Sequence, residues 1–261
     1  MLKLMLFNLL LLLIITVLLI IVKKTVKSEK GKNVLLLVSA AVTIIFHYST
    51  LIFHCLTGGE AIEYLKNNPN LILPIYPCNV VMWSCLLFGF LKKRDSSVSK
   101  LLTDYIFWFG IFSTLVGMFA NVDFIKNPTL ADYEITKSIV AHATLLFNVL
   151  LLPLFGLIKI DFLRNMKNMF LSVLGMYVIG LYCNLVFEVL VSAEKAYDVN
   201  SMFIIHSPFD GMDFLTYPII AAVALVLYFL LFISCDAIKN KKGNRFCDRL
   251  FDSLKKKHNR K

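Results

Sequence analysis

Six residues stand out because their side chains can do chemistry and their surroundings are apolar: His47, His54, Cys78, Asn79, His142 and Asn184. A thiol deprotonated by a neighbouring base is a nucleophile, and imidazole changes protonation near neutral pH. Carboxamides donate hydrogen bonds to ligands or to developing oxyanions. Each type also has a plainer use: a cysteine fills space like a small hydrophobe, and histidine or asparagine ties one apolar helix to another. A metal centre is not expected. His47 and His54 are seven residues apart, about 10.5 Å along a helix, and no HxxxH or HxxE pair occurs. No CxxC occurs either, so the six cysteines suggest neither a zinc site nor a disulfide framework. No cofactor is expected.

The segments that carry these residues are long and apolar. The 261-residue chain is 58% hydrophobic with a mean hydropathy of +0.74. Seven runs of membrane-spanning length fall at roughly 4–22, 34–56, 71–91, 104–121, 137–158, 168–190 and 214–235. Positive charge alternates between them. The first, third and fifth connections and the C-terminal segment hold 22 of the 27 Lys and Arg residues. Cytoplasmic loops are enriched in these residues. The expected fold is therefore all-α and polytopic, with seven transmembrane helices, the N-terminus outside and the C-terminus cytoplasmic. Residues 1–235 form one membrane domain and 236–261 a basic tail. The first run lacks a small-residue cleavage site and reads as a retained helix.

The net charge of +10 comes largely from the inner loops and tail. It suits anionic lipid rather than nucleic acid. Phe246, Leu250 and Leu254 recur at i+4 spacing in the tail, as in a helix lying on a membrane surface.

Helical spacing then sorts the polar residues. Thr43, His47, Thr50 and His54 form one stripe, which should face the bundle interior. Gly110, Thr114, Gly117 and Asn121 form a small-residue seam. Ser138 and His142 share a face, as do Tyr177, Gly180, Asn184 and Glu188. His47, Cys78, His142 and Asn184 all fall in the outer part of their spans, whereas the inner halves read as largely apolar. A polar cavity towards the outer leaflet is expected, covered by loops 57–70 and 191–213.

Short motifs carry a family resemblance. Leu73-Pro74-Ile75-Tyr76-Pro77-Cys78 resembles the LPLHLC-type helix opening of the YwaF-type bacterial integral membrane family. Ile139-Val140-Ala141-His142, Asn184 and Ser207-Pro208 resemble its later motifs in order and sidedness. That family is related to transmembrane protein 164, a phospholipid acyltransferase. The resemblance implies Cys78 as nucleophile and His142 as base. Asn79 and Asn184 would be oxyanion donors or substrate contacts, with His47 and His54 in the binding region and membrane phospholipid as partner. One departure is Tyr76, which stands where the bacterial motif has histidine. The rival class is a non-enzymatic lipid or small-molecule binding or transport component, which needs the same cavity without the thiol chemistry.

Overall fold

The computed structural model describes residues 2–91, 93–119, 129–207, 211–241 and 243–258. It contains the helices α1 (Leu2–Thr25), α2 (Glu29–Leu56), α3 (Ala61–Asn67), α4 (Pro77–Phe90) and α5 (Ser97–Phe119). These are followed by α6 (Tyr133–Leu154), α7 (Phe162–Leu190), α8 (Ala193–Val199), α9 (Tyr217–Lys239) and α10 (Phe246–His258). Single 3-10 turns occupy Pro69–Leu71 and Ser201–Phe203. Six helices (α1, α2, α5, α6, α7 and α9) are long and apolar enough to cross a membrane. The end bearing residues 57–76 and 191–207 is called the upper end below.

The expected span 71–91 is helical only from Pro77, leaving α4 with 14 residues. The reason is local. Pro74 biases Leu73 away from helical geometry, and Pro77 sits at the first helical position, where its missing N–H costs nothing. Several other helices start before their apolar runs because a polar cap begins them. Ser28 Oγ accepts from Gly31 N at 3.1 Å, Asp132 Oδ1 from Glu134 N at 2.8 Å and Asp161 Oδ1 from Arg164 N at 2.9 Å. Helix α9 runs to Lys239, past the end of the apolar run 214–235.

The core lies where α2, α4, α5 and α6 meet, around the fully buried Val81, Val149, Leu151 and Leu152. The α5 seam does what its small residues allow. A Cβ at Gly110 would lie 2.5 Å from Val149 Cγ2 and 3.2 Å from Val81 Cγ1, so three helices close on that level. Asn121 lies outside the described residues. Helix α1 buries Leu4, Asn8, Ile15 and Val22 and leaves its other faces exposed, as a helix at a bundle's lipid boundary does.

The lower half is less apolar than its sequence suggested. Asn148 Nδ2 donates to Thr43 Oγ1 at 2.9 Å and to Ser39 O at 3.1 Å, tying α6 to α2. Nearer the lower end, the buried Asp104 carboxylate of α5 accepts from Asn168 Nδ2 at 2.7 Å. It also accepts from Arg164 Nε at 3.3 Å, which joins α5 to α7.

Candidate functional site

The first turn of α4 is assembled from both sides of the chain. Residues 72–76 approach it as non-helical backbone. Asn79 Oδ1 accepts from Tyr76 N at 3.2 Å and closes the helix start. Cys78 is the second residue of that turn and packs against the main core while staying half-buried. The first backbone N–H groups of a helix have no partner within it, and the helix dipole makes that end positive. A developing oxyanion is favoured at such an end. Beside it stands Tyr105 of α5, buried, with its hydroxyl donating to Pro77 O at 3.4 Å.

Part of the 191–207 segment folds back over this turn. Met202 N donates to Ile75 O at 2.9 Å, and Ser201 Oγ donates to the same carbonyl at 3.2 Å. Asn184 of α7 holds the fold-back in place. Its Oδ1 accepts from Ser201 N at 2.8 Å and its Nδ2 donates to Ser201 O at 3.4 Å. Both ends of the Asn184 amide are thus occupied by backbone. Asn200, Met202 and Phe203 have φ of 42°, 55° and 57°. For Met and Phe this left-handed geometry is strained by on the order of 1–3 kcal/mol each. The Phe203 ring lies 6.1 Å from that of Tyr76.

His142 sits on α6 with Nδ1 donating to Ser138 O at 2.8 Å. This tautomer leaves the Nε2 lone pair free. Only glycine at 117 accommodates the ring, because a Cβ there would lie 2.2 Å from Nε2. No hydrogen bond joins Cys78 to His142 among the described residues. Counting outward from the Val81–Gly110–Val149 level at 1.5 Å per residue, Cys78 stands about 4.5 Å and His142 about 10.5 Å above it, roughly 6 Å apart in depth.

The α2 stripe faces protein, as its spacing predicted. Thr43 and Thr50 are buried. His47 Nε2 donates to Asn70 O at 3.2 Å, and Tyr48 Oη donates to Leu71 O at 3.0 Å, pinning the turn that leads to α4. His54 stacks on Tyr64 of α3, with centroids 4.5 Å apart. Tyr64 Oη donates to Glu134 Oε1 at 2.5 Å. Burial first, then the Glu134 carboxylate, pushes the Tyr64 phenol up to about 12. Glu134 also pairs with Lys137 at 3.4 Å. Glu188, at the end of the Asn184 face, is exposed.

Three of these residues escaped the sequence reading. Tyr105 lies in an aromatic-rich run that reads as packing. Glu134 and Lys137 read as loop or span-edge charges, because the apolar run starts after the capped first turn. The hint available was Asp132 followed by Glu134, an acidic N-terminal helix signature.

A bundle with six helices of membrane-crossing length is a membrane protein. The chain belongs to the TMEM164 family, whose model matches residues 2–235. No curated protein and no solved structure matches it.

Proposed function

We propose that this protein is a Cys/His-dependent phospholipid acyltransferase or acyl hydrolase of the cell membrane. The observation that carries the reading is the position of Cys78, in the first turn of a helix that begins inside the bundle. Broken helices of this kind line membrane binding sites, with their N-terminal ends turned to negative charge. Family membership supports the same assignment.

Helix α4 is read as the remaining crossing. Its 14 residues rise about 21 Å, and the non-helical residues before it add about 3 Å each. Ile75 O, accepting from Ser201 and Met202, is satisfied by protein, as backbone at membrane depth must be. With seven crossings, the N-terminus is outside and the site lies in the outer leaflet. The basic segment 236–261 then lies against anionic lipid on the cytoplasmic side.

In the reaction, His142 Nε2 takes the Cys78 proton across one intervening water. The thiolate attacks the ester carbonyl, and the Cys78 N–H at the positive end of α4, with the Asn79 carboxamide nearby, receives the oxyanion. The carbonyl re-forms as the ester C–O bond breaks. The lysophospholipid oxygen leaves with the proton from His142, and the acyl group remains as a thioester. A hydroxyl of a second lipid, or water, then attacks. It gives its proton to His142, and the Cys78 thiolate leaves and is reprotonated. His47 shapes the wall through Asn70, and Asn184 holds the fold-back over the acyl site.

A non-enzymatic lipid-binding role is the second reading. It is favoured by the lack of a direct Cys78–His142 bond. One experiment separates the two. Purified protein incubated with acyl-labelled phospholipid should acquire hydroxylamine-sensitive label, lost in Cys78→Ala and kept in Cys85→Ala. His142→Ala should slow labelling about 10²–10⁴-fold. Label that persists in Cys78→Ala, or lipid that binds without labelling, would replace the enzyme with the binding protein.

A further inference from the structure

The reading above gives Lys137 no role. Lys137 lies on α6, five residues or about 7.5 Å above His142, and its side chain is only 10% exposed. Among the described residues its one partner is Glu134, through Oε2 at 3.4 Å. Glu134 is itself half-exposed and also accepts from Tyr64. An ammonium carries three donors, and the one loose, shared partner it has among the described residues does not fill them. Such groups are retained in membrane helices where they serve a ligand. His47 and His142 both lie within electrostatic reach of Lys137. Lys137, His47 and His142 thus lie near one another, the His142 ring against Gly117 of α5 and Glu134 at the rim.

We propose that Lys137 binds the phosphate of the phospholipid whose acyl chain is presented to Cys78. The proposal rests on the acyl-transfer reading for the position of the ester, but its phosphate-binding claim stands apart. Depth supports it. Lys137 is twelve residues above Val149 on α6 and Cys78 three above Val81 on α4, which leaves about 13.5 Å between them. An ammonium–phosphate contact, the glycerol arm from phosphate to ester, and a thiol approaching a carbonyl fill such a span end to end. Chemistry supports it too: ammonium–phosphate bonds are charge-assisted and strong in a site shielded from water. Helix α3 closes the site above. Its Tyr64 holds Glu134 and stacks on His54, so the phosphate would displace Glu134 from Lys137 rather than meet a bare cation.

The test is equilibrium binding to the full chain in neutral detergent. The probes are a fluorescent phosphatidylethanolamine and a diacylglycerol bearing the same chains. Wild type should prefer the phospholipid. Lys137→Gln should weaken phospholipid binding about tenfold or more, the effect of one lost charge-assisted bond, and leave diacylglycerol binding unchanged. Lys137→Arg should keep the preference. Glu134→Gln, which frees Lys137, should keep or strengthen it, whereas a purely structural ion pair would be damaged equally from either side. Equal loss of both lipids in Lys137→Gln and Glu134→Gln, or unchanged phospholipid binding in Lys137→Gln, would overturn the proposal. Inorganic phosphate competing as well as the lipid would also overturn it, by assigning the site to a free anion. If the preference depends on Lys137 yet Cys78 never labels, phosphate recognition stands and acyl transfer falls. If Cys78 labels normally and Lys137→Gln binds as wild type, the reverse holds.

Discussion

At the scale of residues, the lower-end ion pair sets a measurable limit on stability. Asp104 is almost fully buried and is shared by Arg164 and Asn168. Removing one partner of a buried pair leaves an uncompensated charge, which is worse than never having had the pair. Arg164→Ala should therefore destabilise the bundle by on the order of 3 kcal/mol. Asp104→Asn, which removes the charge and keeps a hydrogen-bonding group, should cost clearly less. Thermal unfolding in detergent reads both, and an Arg164→Ala variant as stable as wild type would remove this pair from the account. The pair was hard to see in the sequence. Asp104 stands at the start of an apolar run and Arg164 before the next but one, so hydropathy marks both as edges. The His47 and Asn148 contacts were half visible: the α2 stripe predicts a buried polar face, but no pattern names Asn148 as the residue that meets it.

At the scale of elements, hydropathy located every long helix and missed what lies between them. Helices α3 and α8 have seven residues each and mixed composition, so they carry no membrane signal. The fold-back at Ser201–Phe203 is invisible for another reason. It exists through Asn184, Ile75 and Gly180, which are far from it in the chain, and it uses backbone geometry that Met and Phe rarely adopt. Gly180 makes a sharp test. A Cβ there would lie 2.8 Å from Met202 Cβ and 2.5 Å from Ile204 Cδ1. Gly180→Ala should push the fold-back off the first turn of α4 at a cost of about 1–3 kcal/mol, the usual range for overpacking. Limited proteolysis should then cut near residues 200–206 faster than in wild type, while α1 to α6 stay protected. Unchanged cleavage would mean that the fold-back gives way without leaving the bundle.

At the scale of the whole molecule, the charge pattern and the helix bundle must agree on one orientation, because the proposed outer-leaflet site depends on it. With α4 counted, successive helices of the bundle run in opposite directions, and the lysine-rich connections collect at the end opposite α3 and α8. Helix α10 belongs to that end. Asp236 Oδ2 accepts from Phe246 N at 2.7 Å, and Phe246 stacks on Phe162 at 4.1 Å, so the basic segment is docked to the bundle where it begins. Native cysteines report the sides without any fusion. Cys55 is exposed at the end of α2 nearest α3, and Cys247 lies in α10. In intact cells a membrane-impermeant maleimide should label Cys55, and Cys247 should react only after permeabilisation. A reporter fused after Lys261 should face the cytoplasm. The reverse pattern would put the Lys and Arg excess on the outer side, against the rule that orients membrane helices. It would also move Cys78, His142 and Lys137 to the inner leaflet. The acyl donor would then be an inner-leaflet lipid, and α10 would lose the anionic surface its charge is suited to meet.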